Sequence, residues 1–335
     1  QGLYGTGTAR PTYGIPQPGM RTYPSSSPPP LTAHPTGVST VQPPIAPQTG
    51  APRGVATPHQ QTANPANPTT TATTGPTTSV ETGPVIHPSV HKLWELAKAD
   101  LPNEHVLTRY LRWAQGEVVR LEEIKDYSAV LIKEERVHGR LLPEQQIAMK
   151  LRHEPFSVYL RFLGPQDVQD REVLYVDGAN DGNLIAHEGR GLLSLGPSVP
   201  LAPDSSLAMK DQKYPLTDIG LLTLVNKFIE TCERESKSHE CEVRCYPSYV
   251  KLDGRPCTCL MVVHPLFREE FMFHVAYVYI DDEWGIPVRY EAYDWPEEEG
   301  ESPPLLESYT YARLQFNRGF GDIDFDTSNE DYNFE

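Results

Sequence analysis

Two cysteines and a histidine lie close together in the segment GRPCTCLMVVHP, residues 254–265. Cys257 and Cys259 are two positions apart, and His264 ends the apolar run that follows them. Side chains of these types ligate zinc, form disulfides or supply a thiolate nucleophile. On a β-strand the two cysteines share one face, because side chains alternate between the faces of a sheet. Their chemistry therefore depends on the other cysteines and on the elements that hold them.

The chain has five cysteines, and three interpretations of them are open. The ligands of a zinc site could be Cys241, Cys245, Cys257 and Cys259, with His239 or His264 as a substitute for one of them. These spacings differ from the usual C-x2-C pairs of zinc sites. A catalytic thiol needs a nearby base and a lowered pKa, and the local sequence offers no positive environment for one. In an oxidising compartment, cysteines on adjacent strands pair most simply as disulfides.

We therefore predict at least one disulfide between the 241–245 segment and the 257–259 segment. The dipeptide Asp253-Gly254 is typical of a two-residue hairpin turn and would place the two segments on neighbouring strands. Cysteines that are opposite or nearly opposite on such strands fall within disulfide reach.

Other patterns that carry chemistry are incomplete. No phosphate-binding loop or dinucleotide fingerprint occurs in the sequence. The segment DIDFDTSNEDYNF resembles a calcium loop, but Thr327 stands where the turn needs glycine and Asn333 where a bidentate glutamate is needed. We therefore expect no catalytic residue, no metal and no cofactor. Two carboxylates on strands that face one cleft would instead support a hydrolase of envelope polymers.

Tyrosines recur on the predicted strands at spacings of two. The ones that we single out for a sheet face or a cavity wall are Tyr159, Tyr277, Tyr279, Tyr309 and Tyr311. Because tyrosine has an apolar ring and a polar tip, a face lined with it can hold a lipid chain or a glycan. The alternative is that these rings pack across strands and only stabilise the sheet.

Composition divides the chain into a tail and a domain. Of 33 prolines, 18 precede residue 89, and residues 1–80 contain three arginines but no acidic residue. Subtracting this +3 from the net charge of −16 leaves −19 for residues 81–335. A segment with so few apolar residues cannot offset the entropy of ordering. We predict a disordered tail over residues 1–86 and a single domain over residues 87–335.

This acidic domain argues against a nucleic-acid partner, and no run of 18 apolar residues is present to span a membrane.

The sequence begins at Gln1. We interpret it as a processed secretory protein whose signal peptide has been removed, with the Pro/Thr-rich tail as a tether in the periplasm, cell envelope or outside the cell.

The periodicity of the domain predicts an α+β fold. Residues 89–125 are predicted to form two helices, with Asn103 as a cap, and LTDIGLLTLVNKFIETCERE, residues 216–235, to form a central amphipathic helix capped by Thr217 or Asp218. Nine segments of period two predict strands, and their short connections favour antiparallel pairing. A Gly/Pro/Ser-rich stretch over residues 189–215 is longer than a usual connection, so it covers the fold or gates a site.

Six segments, taken together and in order, resemble a bacterial family known as domain of unknown function 1571: KDYSAVLIKEERVHGRL, IAMKLRHEPFSVYLRFLGP, LAMKDQKYPLTDIGLLTL, GRPCTCLMVVHP, IPVRYEAYDWP and YTYARLQFNRGFGDIDFD. The order of elements is more distantly similar to the lipoprotein-carrier superfamily of LolA-like carriers and RseB-like sensors. This resemblance implies a large antiparallel sheet curled into an incomplete barrel, with helices plugging the open side around an apolar cavity. It also implies a non-enzymatic envelope protein with a lipid-like or lipoprotein ligand. The alternative is an envelope scaffold or sensor that acts through a protein partner.

Overall fold

The computed structural model of the chain describes residues 94, 95, 97, 104–189, 196–238, 240–298 and 300–334. All of these residues belong to one compact unit. The tail predicted for residues 1–86 lies outside the described residues, as do Asn103 and His239.

Helix α1 spans Val106–Glu123 and helix α2 spans Leu221–Ser238. The side chain of His105, the residue before α1, accepts a hydrogen bond from the backbone N–H of Leu107 at 3.3 Å and so caps the helix. The two helices pack together, with the rings of Trp113 and Phe228 5.9 Å apart. Their apolar faces therefore form one layer of the fold.

The second layer is a twelve-stranded antiparallel sheet. Its strands are β1 (Asp126–Val137), β2 (Arg140–Leu141), β3 (Gln145–Arg152), β4 (Ser157–Gly164), β5 (Glu172–Val176), β6 (Leu184–His187), β7 (Val199–Leu201), β8 (Glu242–Leu252), β9 (Arg255–Val263), β10 (Val275–Asp281), β11 (Pro287–Tyr293) and β12 (Leu305–Phe316). They follow the order β7-β6-β5-β4-β3-β1-β12-β11-β10-β9-β8, and β2 pairs with β1. The sheet curls without closing, which confirms the predicted α+β architecture.

All nine predicted strands are present, and the Asp253-Gly254 turn joins β8 to β9 as predicted. Asp253 has φ 50° and Gly254 has φ 80°, as a two-residue hairpin turn of the primed type requires. Strands β2, β6 and β7 were not predicted. The Gly/Pro-rich connection is therefore shorter than its sequence indicates, because residues 199–201 pair with β6.

The cap predicted for helix α2 is wrong. Residues 216–218 form a separate short 3-10 helix, and α2 begins only at Leu221. Gly220 has φ 119° between the two, a conformation that side chains with a Cβ rarely adopt. The backbone N–H of Leu221 donates to the hydroxyl of Tyr127 at 2.9 Å, so a tyrosine of β1 supplies the cap.

The C-terminal acidic segment lies against the sheet, although most of its acids are exposed. Asp322 pairs with Arg152 at 2.7 Å, and Asp324 pairs with Lys150 at 2.7 Å. Phe325 is buried close by. Two acids of the segment that resembles a calcium loop therefore bind basic side chains of β3.

Candidate functional site

A cavity of about 760 Å³ lies between the concave face of the sheet and helix α2. Its walls come from strands β1, β3–β7 and β9–β12. Many residues between 196 and 220 line it as well, so the long connection does lie over the concave face. Because side chains alternate along a strand, one set of alternating residues from each wall strand faces the cavity.

Most of the lining is apolar. The deep wall includes Leu131, Ile147, Leu160, Val262, Ala276 and Val278, all of which are buried. Three large hydrophobic side chains of the lining are exposed, Val199 at 46%, Leu207 at 60% and Met272 at 61%. The cavity therefore reaches solvent at places where apolar side chains line it.

Two glutamates face the cavity from neighbouring strands. Glu135 on β1 and Glu307 on β12 are partners in the antiparallel register, and both are buried. Like charges directly opposite each other on a sheet are destabilising unless other groups compensate. We call these two residues, with Lys133, Lys213 and Tyr309, the carboxylate cluster.

Both oxygens of Glu135 are occupied. Oε1 accepts from the hydroxyl of Tyr309 at 2.7 Å. Oε2 accepts from Nζ of Lys133 at 3.1 Å and from the backbone N–H of Lys213 at 3.2 Å. Lys133 also donates to Gln212. The segment that carries Gln212 and Lys213 is therefore tied to β1.

The two carboxylate oxygens of Glu307, on β12, also have partners. Its Oε1 accepts from the hydroxyl of Tyr214 at 3.3 Å, and its Oε2 lies 2.7 Å from Nζ of Lys213. The hydroxyl of Tyr309 is also 3.4 Å from Oε2, so this tyrosine lies between the two carboxylates. Charge-assisted bonds of this kind are stronger than those between neutral groups.

Burial and nearby charges shift the pKa values of Lys133 and Tyr309. Burial lowers the pKa of Lys133, and the carboxylate of Glu135 opposes that effect. Burial raises the pKa of Tyr309, and Glu307 and Glu135 raise it further. The phenol of Tyr309 therefore stays protonated, and its single O–H donates to Glu135 at 2.7 Å.

The five singled-out tyrosines divide between the two faces of the sheet. Tyr309 and Tyr311 line the cavity. Tyr277 and Tyr279 flank the cavity residue Val278 on β10 and so project from the opposite face, as does Tyr159 beside Leu160 on β4. The ring of Tyr159 stacks on Tyr332 at 3.8 Å, and the ring of Tyr277 meets that of Tyr293 edge-on at 5.9 Å.

All five cysteines carry free thiols. In the register of β8 and β9, Cys245 is opposite Leu260 and Tyr246 is opposite Cys259, so Cys245 and Cys259 project from opposite faces. Burial raises the pKa of Cys257 and of Cys259 to about 12. These thiols therefore have the character of apolar core side chains and not of a nucleophile.

Cys241 lies elsewhere, packed against an apolar cluster that contains Cys232 of helix α2. Burial raises the pKa of Cys241 to about 11, and the charge of Glu235 adds to the effect. The two sequence segments expected to share a disulfide therefore hold their cysteines in separate surroundings.

His264, considered above as a zinc ligand, is fully buried and hydrogen-bonded through both ring nitrogens. Nδ1 lies 2.9 Å from the carbonyl oxygen of Phe273, and Nε2 lies 2.7 Å from Oε2 of Glu235. A carbonyl oxygen only accepts, so Nδ1 donates. The pair joins helix α2 to the end of β9, and the sequence did not reveal this role for Glu235.

The described residues contain no group of three or more histidines, cysteines or acids placed to hold a metal ion. Across these same ranges, neither helix has the length and apolar character needed to cross a bilayer.

Sequence reasoning also missed Lys133, Glu135 and Glu307. A signal was present, since Lys133 and Glu135 have the period-two spacing of one strand face, and Glu307 shares its face with Tyr309. Charged side chains usually lie on the solvent face, which is why this signal predicts exposure and not a cavity wall.

The fold and the cavity together define an α+β protein with a curled antiparallel sheet and an apolar interior. A family model described as "Protein of unknown function (DUF1571)" matches residues 124–334. The chain belongs to this family, as the six sequence segments predicted.

Several solved structures are similar to the chain. The lipoprotein LppX of Mycobacterium tuberculosis is 12% identical, with 62% of this chain and 93% of that chain covered and a TM-score of 0.34. A LolA superfamily protein of Nitrosomonas europaea is 10% identical over 64% and 97% of the two chains, with a TM-score of 0.29. A chain of the MucA/MucB complex of Pseudomonas aeruginosa is 14% identical. The match covers 65% of this chain and 61% of that chain, with a TM-score of 0.35. No match was found among curated proteins.

Proposed function

We propose that this chain is a non-enzymatic protein of the cell envelope that binds the apolar chain of a lipid or lipoprotein. The observation that carries the proposal is the cavity of about 760 Å³ between the sheet and α2. Its volume falls in the range of roughly 300–1,000 Å³ that is usual for small-molecule sites. Its lining is mostly apolar, as is typical of such sites, and it also includes charged side chains such as Glu135, Lys227 and Glu307.

The driving force for an acyl chain follows from the lining. Each methylene group moved from water into apolar surroundings contributes about 0.8 kcal/mol. The exposed apolar side chains Val199, Leu207 and Met272 give such a chain an apolar route from solvent to the deep wall. The tyrosines Tyr309 and Tyr311 provide hydroxyl groups at the same wall.

The alternative of an envelope scaffold or sensor would be favoured by an interior filled with side chains. The open cavity favours ligand binding instead, while leaving a protein partner compatible with it. The Pro/Thr-rich composition of the first 86 residues suits a tether and supports a location in the envelope.

A hydrolase of envelope polymers is the second candidate, because Glu135 and Glu307 are paired carboxylates in one cavity. Their surroundings favour it less than binding. Every one of their four oxygens already accepts a hydrogen bond from a lysine, a tyrosine or a backbone N–H. Catalytic carboxylates need an oxygen within reach of the substrate.

Displacement of a fluorescent fatty acid from the full chain tests the proposal. The variant Thr223→Trp places a large ring on α2 where it faces the cavity, and Asn226→Trp places the same ring on the exposed side of that helix. We expect the wild type and Asn226→Trp to bind the probe and Thr223→Trp to bind it about tenfold more weakly. Equal binding by both variants, or no binding by the wild type, would contradict the proposal.

A further inference from the structure

The buried charges that line the cavity do not balance among themselves. Glu135 and Glu307 have side chains that are each 5% exposed, and Lys133 is 10% exposed. The cavity wall therefore holds two buried carboxylates and one buried ammonium. A buried carboxylate without a compensating charge is expensive, so a second cation is required.

Lys213 supplies this second cation from outside the wall. Its Nζ lies 2.7 Å from Oε2 of Glu307, yet its side chain is 29% exposed. Lysine carries its charge on a flexible four-carbon stem that is easily reoriented. Of the two ammonium groups in the cluster, that of Lys213 is the one that can leave for solvent at low cost.

Gln145 provides an independent sign of spare hydrogen-bonding capacity. It is the register partner of Lys133 on β3, so the two side chains project from the same face of the sheet. Gln145 is 8% exposed, and its Oε1 has no hydrogen-bond partner within the described part of the chain. A buried acceptor without a donor is uncommon and calls for a group that brings N–H or O–H.

The aromatic surroundings suit a cation as well. Nζ of Lys213 lies 5.6 Å from the ring centroid of Tyr214, within the range of a cation–π contact. The hydroxyl of Tyr214 donates to the Glu307 carboxylate at 3.3 Å. A second ammonium at this position would meet the same carboxylate, whereas the ring of Tyr214 already holds Nζ of Lys227 at 3.7 Å.

We propose that the carboxylate cluster receives the primary ammonium of an amphiphile, which takes the place of the Lys213 ammonium on Glu307 while its alkyl chain lies in the apolar part of the cavity. This inference rests on the lipid-binding function proposed above. An ammonium has three N–H donors and no acceptor, which matches a site made of carboxylate and amide oxygens. A carboxylate headgroup would instead face Glu135 and Glu307, so a fatty acid keeps the apolar contacts of its chain but binds more weakly than the corresponding amine.

Headgroup selectivity tests the proposal with the full chain at neutral pH. Four competitors are titrated against the fluorescent fatty acid: dodecylamine, 1-dodecanol, dodecanoate and butylamine. We expect dodecylamine to displace the probe at a concentration about tenfold lower than dodecanol, a difference of about 1.4 kcal/mol. Dodecanoate should be the weakest of the three long-chain compounds, and butylamine should have no effect.

The outcomes separate this inference from the function on which it rests. Equal displacement by the three long-chain compounds would overturn the ammonium site and leave lipid binding intact. No displacement by any of them would overturn lipid binding. If butylamine displaced the probe at the same concentration as dodecylamine, the ligand would not need a long alkyl chain. That result would overturn the proposal of an amphiphile and point to free amines as the ligand.

Two variants act in opposite directions. Glu307→Gln removes the charge and should abolish the preference for dodecylamine. Lys213→Ala removes the resident ammonium and should strengthen dodecylamine binding several-fold, without placing a new group in the core. A Lys213→Ala variant that weakens dodecylamine binding would overturn the proposal. Glu330→Gln and Lys251→Ala, at exposed positions outside the cavity lining, are the matched controls and should leave the preference unchanged.

Discussion

The hydroxyl of Tyr311 accepts a hydrogen bond from the backbone N–H of Gly220 at 3.1 Å. Tyr311 belongs to β12 in the wall of the cavity, and Gly220 directly precedes helix α2, which covers it. The next residue, Leu221, donates in the same way to Tyr127 of β1. Two tyrosine hydroxyls of the sheet therefore satisfy the first N–H groups of the helix, which otherwise have no partner within it.

Removing one of these acceptors should loosen the helix. We expect Tyr311→Phe to lower the free energy of unfolding by about 1–3 kcal/mol, because the buried N–H of Gly220 loses its partner. Urea unfolding measures the change. Tyr249→Phe, at an exposed position, serves as the control and should be nearly neutral. A stability of Tyr311→Phe equal to that of the control would show that this bond does not hold α2.

Gly220→Ala should be more destabilising than an alanine at another glycine with positive φ. A Cβ at Gly220 would lie 2.9 Å from Cδ1 of Leu151 and 3.0 Å from the hydroxyl oxygen of Tyr127. At Gly139, with φ 80°, no atom lies within 4 Å of the added Cβ, so Gly139→Ala measures the backbone strain alone. We expect a loss of roughly 1–2 kcal/mol at Gly139 and a larger one at Gly220. Equal losses in thermal unfolding would argue against the close packing of this turn.

The buried pair of Glu235 and His264 should make stability depend on acid pH. Burial is the largest effect on the pKa of Glu235 and raises it, but His264 and Arg234 together lower it below its ordinary value of 4.5. A carboxylate with a depressed pKa adds stability above its unfolded-state pKa, and this stability is lost as the pH falls through the folded-state pKa.

The variant Glu235→Gln isolates this contribution. We expect it to be less stable than the wild type at pH 7 by about 1.5–3 kcal/mol, the range for a hydrogen bond to a charged group. The difference should shrink as the pH falls below 4.5. Unfolding titrations at a series of pH values measure it, and a difference that stays constant down to pH 3 would show that the pKa of Glu235 is not lowered in the folded protein.

The state of the cysteines can be read by alkylation. The free thiols of the structure predict five modified cysteines when the unreduced protein is denatured and treated with iodoacetamide. The folded protein should react slowly at Cys257 and Cys259, because burial raises the pKa of both thiols to about 12. Mass spectrometry counts the adducts. Three or fewer adducts without reduction would restore the disulfide that the sequence predicts between the 241–245 and 257–259 segments.

Local pattern predicted most of the fold. The alternating segments of β1, β3–β5 and β8–β12 are long and rich in β-branched and aromatic residues, so their period is clear. Strand β6 is only LIAH and strand β7 only VPL, and both lie beside a Gly/Pro-rich stretch. Segments this short carry no reliable period, and they become strands only because β5 and the edge of the sheet offer backbone partners.

The cavity site was only partly visible in the sequence. Tyr309 and Tyr311 could be singled out from their spacing, but the same argument selected Tyr159, Tyr277 and Tyr279 on the other face. Glu135 and Glu307 are 172 positions apart in the sequence, and only the pairing of β1 with β12 brings them together. Such nonlocal register is set by the whole sheet and is not encoded in either strand alone.

Native mass spectrometry of the full chain, purified without detergent, tests most directly whether the cavity holds an apolar ligand. We expect the wild type and Asn226→Trp to carry additional mass that organic extraction releases as a lipid, and Thr223→Trp to carry much less, because its indole ring occupies the cavity. A wild-type protein of bare polypeptide mass that also fails to bind the fluorescent fatty acid would contradict the account.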